Sequence, residues 1–244
     1  MTDIGLYRDK GLEIYEKAHY SRGEHIREVE AILSWFGKKS GRILDIGCSG
    51  GLHLLELAKR GYSVTGMDVE TSAIGLARRR FAEAGMKGDF FAADMETEDL
   101  ARLGSFNLVY SLGNVISHIP KMSLPAVLRK ISSCLAADGI FLFDILTIGE
   151  TFPEEVHEKD LGIIWQRTLD RGTGEILLRG FFENFDVIQE FRVWGHSREE
   201  MGELLKEAGF TRIDISPSLD FSASVTCAEN PVCLRYRGRI KEGV

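Results

Sequence analysis

No two cysteines of this chain stand at C-x-x-C spacing, and no histidine completes a zinc-finger pattern. The four that are present, Cys48, Cys134, Cys227 and Cys233, are therefore expected to be reduced and unligated. That argues for a reducing compartment and against a disulfide scaffold or a metal centre. Also missing is any run of ~18 apolar residues, the length a membrane-spanning helix requires. The opening residues, MTDIGLYRDKGLEIYEK, carry charges throughout and hold no apolar stretch of the signal-peptide kind. A soluble, cytoplasmic protein is expected. Positive charge is short as well: 30 Lys and Arg face 37 Asp and Glu, for a net charge of −7 and a pI near 5.5. Nucleic-acid binders usually present a basic face, so a nucleic-acid partner is not expected. The one local basic run, Arg78-Arg79-Arg80, falls inside a helical pattern and is expected on its solvated side. No internal repeat or low-complexity linker interrupts the chain.

What remains is a 244-residue sequence, 44% apolar, that alternates strand and helix patterns. Ile26, Val29, Leu33 and Phe36 stand at helical spacing. Then RILDIG reads as a strand, residues 51–60 as a helix closed by Gly61, and YSVTGMD as a strand. A helix from Ser72 places Ile74, Ala77, Phe81 and Ala84 on one side, with Gly85 suited to its C′ position. GDFFAAD and FNLVYSL are further strands, residues 122–136 a helix, and GIFLFDIL the fifth strand. Such alternation, with wholly apolar strands, argues for a parallel sheet covered on both faces. After residue 150 the helices stop, and an antiparallel insertion of about three strands is expected up to residue 196, turning at DRGTGE and ENFD. A helix from Ser197, with Glu200 three residues on as a capping box, buries Met201, Leu204, Leu205 and Ala208. FTRIDISPS and PVCLRYRGR supply the last two strands. The expected fold is thus α/β and Rossmann-like, with a mostly parallel seven-stranded sheet. Its segments are an N-terminal helical cap (1–40), a cofactor-binding core (41–150), the insertion (151–196) and a completing C-terminal unit (197–244).

Ligands of open α/β sheets bind beyond the carboxyl ends of the strands. At the first of these ends the glycines are Gly47, Gly50 and Gly51. They match neither G-x-G-x-x-G, which brings bare backbone to a pyrophosphate, nor the P-loop, since no lysine follows. An acid, Asp45, stands there instead; it would repel phosphate and attract an ammonium group. Asp68 ends the second strand, where an acid accepts hydrogen bonds from both ribose hydroxyls. Asp94, after the third strand, is placed to accept from an exocyclic amine, with Met95 beside the base. These requirements fit S-adenosylmethionine.

The D-x-G-x-x-x-G turn (Asp45, Gly47, Gly51), Asp68 and the AADM segment resemble the class I S-adenosylmethionine-dependent methyltransferases. The resemblance covers roughly residues 15–215 by element order. One position departs: Ser49 stands at the middle glycine of the usual G-C-G-T-G, which implies differently bonded contacts to the methionine moiety. Val69 and Leu112 complete the implied cofactor set. After the fourth strand the chain reads Ser111-Leu112-Gly113-Asn114 in place of the [DNS]-P-P-[YFW] of nucleic-acid amino methyltransferases. LGNVISHIP is similar instead to a stretch of glycine and sarcosine N-methyltransferases, which implies Asn114 and His118 as acceptor-pocket residues. Left to the residues alone, Asn114 is equally a left-handed turn residue and His118 a turn histidine satisfied by backbone. YEKAHYSRGEHI resembles a segment of sugar-amine N,N-dimethyltransferases that folds over the cofactor, which implies Tyr15 and Arg22, with Tyr20 and His25 adjacent. The glycine enzymes carry an arginine just after the fifth strand; FDILTIG has none, which argues against glycine.

Of the insertion's aromatics, Trp165, Phe181, Phe182, Phe185, Phe191 and Trp194, most are expected in the core and some in the wall of an acceptor pocket. His196 is expected to be structural. The implied chemistry is in-line methyl transfer to a small molecule, with an amine nitrogen favoured, His118 as a base and Asn114 as a positioning group. A small-molecule O- or C-methyltransferase, or a non-catalytic S-adenosylmethionine-binding protein, stays open. The oligomeric state is not readable.

Overall fold

A computed structural model describes residues 2–3, 9–20, 23–159, 162–216 and 233–240. The strands are β1 (Thr2–Asp3), β2 (Arg42–Ile46), β3 (Ser63–Asp68), β4 (Asp89–Ala92), β5 (Phe106–Ser111), β6 (Leu135–Leu146), β7 (Glu155–Glu158), β8 (Ile163–Leu169), β9 (Glu175–Phe182), β10 (Val187–Trp194), β11 (Phe210–Ser216) and β12 (Cys233–Ile240). The helices are α1 (Asp9–Tyr20), α2 (Glu24–Phe36), α3 (Leu52–Lys59), α4 (Thr71–Glu83), α5 (Leu124–Ser133) and α6 (Arg198–Glu207).

Seven strands form one sheet in the order β11-β12-β6-β5-β2-β3-β4. All run parallel except β12, which is antiparallel to both neighbours. Period-two alternation assigns the buried strand residues to two cores. Ile43, Val64, Leu108, Ile140 and Leu142 pack with Val29 and Ile32 of α2, Leu54 and Leu57 of α3, and Ile74, Ala77 and Phe81 of α4. Leu44, Ile46, Met67, Val109, Phe141 and Phe143 pack with Val127, Leu128 and Ile131 of α5 and Met201 and Leu205 of α6. Helix coverage of both faces is why these strands read as near-continuous apolar runs. The capping box at Ser197 and Glu200 is present, and Gly85 takes φ +65° after α4.

Two boundaries differ from expectation. β6 begins at Leu135, inside the span read as helix, because Leu135 pairs with Phe106 of β5; sheet pairing overrides the helical preference of Ala136 and Ala137. The insertion also has four antiparallel strands, in the order β10-β9-β8-β7, extended by β1, which runs parallel to β10. β7, EVHE, is a polar edge strand whose residues are exposed or half-buried, so it carries no hydrophobic alternation. One end of the inner face of this second sheet, Ile163, Phe182 and Val187, packs on Ala18, Ile14 and Tyr15 of α1. No described helix is long and apolar enough to cross a membrane.

Candidate active site

Strand order reverses between β2 and β5, and the cleft opens at the carboxyl ends there. The β2–α3 turn is pinned to β3: the N–H groups of Gly47 and Cys48 both donate to the Met67 carbonyl, at 2.7 and 3.1 Å. Gly47 has φ +81°, and a Cβ there would lie 2.6 Å from Val115 Cγ2, so the turn closes only with glycine. Ser49 adopts φ +49°, a left-handed conformation that is costly for a residue with a Cβ. Asp68 holds it there. Its Oδ2 accepts the Ser49 N–H at 2.8 Å and its Oδ1 the Glu70 N–H at 2.9 Å. The Ser49 Oγ is buried with no partner among the described residues.

Asp45 is 3% exposed. Burial pushes its carboxyl up to about 7; the nearby Asp68 adds to this, while His53 and the Tyr110 hydroxyl oppose it. Asp68 is also raised by burial, against the pull of its backbone donors. Asp94 is exposed, and its Oδ1 accepts the Glu96 N–H at 2.8 Å; Met95 beside it is buried. These groups line a cleft of ≈ 430 Å³ together with Tyr15, Gly47, Ser49, Gly51, Val69, Leu112 and His118. Five acids that form no ion pair among the described residues, Asp45, Asp68, Glu70, Asp94 and Glu96, face it, and no described lysine or arginine lines it.

At the other end, the β5 terminus is locked by Ser111 Oγ, which donates to the Ile46 carbonyl at 2.8 Å. The chain then turns at Gly113 (φ +87°) and Asn114 (φ +60°) into a short 3-10 turn, Val115–His118. Asp144, buried near the end of β6, fixes that turn: Oδ2 accepts the Gly113 N–H at 3.1 Å and Oδ1 the Asn114 N–H at 2.6 Å. The Ser117 Oγ in turn accepts the Leu146 N–H at 2.9 Å. His118 is thereby presented to the cleft with its ring against Phe191 of β10, centroids 5.2 Å apart. Burial lowers its pKa below the usual histidine value.

Asn114 is not brought to the cleft wall; it occupies the left-handed turn position. Asp144 was missed, although an acid inside the apolar run GIFLFDIL is a readable signal.

The cap is α1. Tyr15, Glu16 and Tyr20 line the cleft. Glu16 forms an ion pair with Arg80 of α4, whose Nη1 donates to Glu16 Oε1 at 2.6 Å and to the Gly50 carbonyl at 2.8 Å. Arg78 donates to the Phe90 carbonyl at 2.5 Å. The basic run is therefore not simply a solvated face: two of its three arginines bind the fold, one of them across to the cap. Arg22 lies outside the described residues. His25 does not line the cleft; its ring meets the edge of Tyr20 at 5.9 Å. His196 is buried away from the cleft, 3.3 Å from Glu200 Oε1, and burial pushes it down to about 4.

These residues fit S-adenosylmethionine. A buried carboxyl without an ion-pair partner among the described residues, Asp45, lies where a cationic group would restore its charge, and the surrounding carboxylates disfavour a phosphate. Residues 43–139 match the methyltransferase domain family. A ubiquinone biosynthesis O-methyltransferase of Aromatoleum aromaticum is 35% identical over 92 residues, 36% of this chain and 39% of that protein, so the chain spans well under half of it. A Bacillus subtilis protein described as a methyltransferase, YqeM, is 28% identical over 210 residues, 79% of this chain and 81% of its own length. Among solved structures, an S-adenosylmethionine-dependent methyltransferase from Clostridium acetobutylicum superposes with a TM-score of 0.71 at 15% identity, covering 95% of this chain and 98% of that one. The sugar N-methyltransferase KedS8 from Streptoalloteichus superposes with a TM-score of 0.67 at 16% identity, covering 99% and 96%. Residues 43–139 thus match a methyltransferase domain, and over nearly its whole length the chain has the fold of a solved S-adenosylmethionine-dependent methyltransferase.

Proposed function

We propose that this protein transfers a methyl group from S-adenosylmethionine to an amine nitrogen of a small molecule. In this reading residues 1–40 are the cap, 41–150 with 197–244 the cofactor-binding core, and 151–196 the acceptor wall. Asp45, Gly47, Ser49 and Gly51 receive the methionine moiety, Asp68 with Val69 the ribose, and Asp94, Met95 and Leu112 the adenine. Tyr15 of the cap closes over them. Asp68 has lone pairs to spare beyond its two backbone donors, as ribose binding requires.

When bound, the cofactor supplies an already activated methyl group. What the chain must do is align the acceptor atom and exclude water, and orientation of that kind can contribute ~7–11 kcal/mol. An amine must also lose a proton. The observation that carries the nitrogen reading is His118: a cleft imidazole, kept neutral by burial, held against Phe191. It is poised to accept a proton rather than to carry one. The sugar N-methyltransferase likeness, which spans both sheets, supports the same direction. Asn114, whose N–H is fixed by Asp144, sets the turn that orients His118.

Hydroxyl acceptors are the second reading, favoured by the ubiquinone O-methyltransferase relative, although that match covers only 36% of this chain. Incubation with methyl-labelled S-adenosylmethionine and matched amine and hydroxyl panels tests both readings. Labelled amines are expected; label confined to hydroxyl products would overturn the nitrogen assignment, and no S-adenosylhomocysteine with any acceptor would overturn catalysis.

A further inference from the structure

Arg167, on β8, is 5% exposed, yet its Nε and Nη2 are buried without a hydrogen-bond partner among the described residues. Its guanidinium lies over the Phe152 ring, 5.1 Å from the centroid. A cation–π contact offsets only part of the cost of burying such a charge, and buried arginines are ordinarily paired with an acid. The carboxylate that acts on it, Glu158, instead accepts the Trp165 indole N–H at 2.9 Å. Among the described residues, this buried cation thus has no acid paired with it.

Its position gives that acid a source. Arg167 pairs in register with Leu178, and Leu178 with Phe191, so the three share one face of the second sheet. Phe191 is the residue that lines the cleft and meets His118. Two strand spacings, about 10 Å, separate the backbones of Arg167 and Phe191. The cofactor end of the cleft is rich in carboxylates and would repel an acidic ligand group; Arg167 does not itself line the cleft but stands behind its Phe191 wall, two strands along the same face.

We propose that Arg167 seats an oxyanion, a carboxylate or a phosphate, carried by the methyl acceptor, and that Phe152 covers the seat until the acceptor displaces it. This rests on reading the cleft as the methyl-transfer site. It defines an acceptor whose methylated atom lies at His118 and whose acid lies well beyond the reach of an α-amino acid. A planar fork with two unused donors suits either oxyanion.

Thermal unfolding of the full chain with S-adenosylhomocysteine, and separately without it, is measured in the presence of hexanoate, hexyl phosphate or hexanamide. At least one acid is expected to raise Tm while the amide does not, and whichever acid acts identifies the source. Arg167→Gln should lose that shift and keep its affinity for S-adenosylhomocysteine; Arg167→Lys, which preserves charge without the fork, should retain part of it and serves if the Gln variant does not fold. An equal response to hexanamide, an undiminished response in Arg167→Gln, or no response to either acid overturns the proposal. Failure of S-adenosylhomocysteine to bind would instead sink the methyltransferase reading, and the acid–amide contrast in its absence would still judge Arg167.

Discussion

Asp45 concentrates the site's electrostatic cost in a single carboxyl. Its folded pKa, about 7, lies above the ordinary 3.8. A raised acid contributes stability that is full below the unfolded value and is lost as pH rises through the folded one. In the ligand-free protein the ionised group therefore costs roughly 4 kcal/mol above neutrality. Asp45→Asn should be more stable than the parent at about pH 8, by up to that amount, and no more stable below about pH 4. Urea unfolding at the two pH values checks this; an unchanged or lowered midpoint at the higher pH would sink it. The same variant should bind S-adenosylmethionine ~10–100-fold more weakly by calorimetry, the equivalent of one charge-assisted hydrogen bond.

His118 belongs to the same scale. Burial lowers its pKa, so it is already neutral above the usual histidine range, and the acid limb of the rate profile should fall below it. For His118→Gln the expected result is a ~100-fold drop in kcat/KM and disappearance of that limb. A full rate with an unchanged profile would remove it as the base.

At the scale of elements, the Gly113–His118 turn depends on an anchor from another strand. Asp144→Ala strands two backbone N–H groups, a loss of roughly 2–5 kcal/mol in stability. It should also lower kcat far more than it weakens cofactor binding, because the turn carries His118 while the groups proposed to hold the cofactor sit at and just beyond the ends of β2 and β3. Parallel loss of both, measured by turnover and calorimetry, would contradict that division.

The strands of the parallel sheet and the acids at their ends could be read from sequence because each signal is local: a glycine turn after an apolar run, an acid at a strand end. Asp144 carried a readable signal as an acid in an apolar run, but its partners did not; they, the Arg80–Glu16 pair and the Arg167–Phe191 row are made by residues 24 to 64 positions apart, brought together only by the tertiary fold. Asn114 takes the left-handed turn position that its place after Gly113 had left open beside the pocket reading. β7 escaped because a polar edge strand has no face to bury.

For the whole molecule, α1 matters most. One side of it packs on the second sheet through Ile14, Tyr15 and Ala18. Glu16 ties it to α4 and, through Arg80, to the Gly50 carbonyl of the cofactor turn. Glu16→Gln should weaken S-adenosylmethionine binding about 3- to 10-fold, the scale of a partly buried ion pair, and reduce the salt dependence of that affinity. Titrations at two ionic strengths check both; an unaltered constant would show that the pair only decorates the helix.

A single helix fastened at once to the donor turn and to the opposite wall makes those two compartments thermodynamically linked. Whatever settles α1 from one side lowers the cost of ordering it for the other, so donor and acceptor analogues should each tighten the other's binding by the same factor. Shortening that linkage by cutting Glu16 should leave two independent binders in one chain.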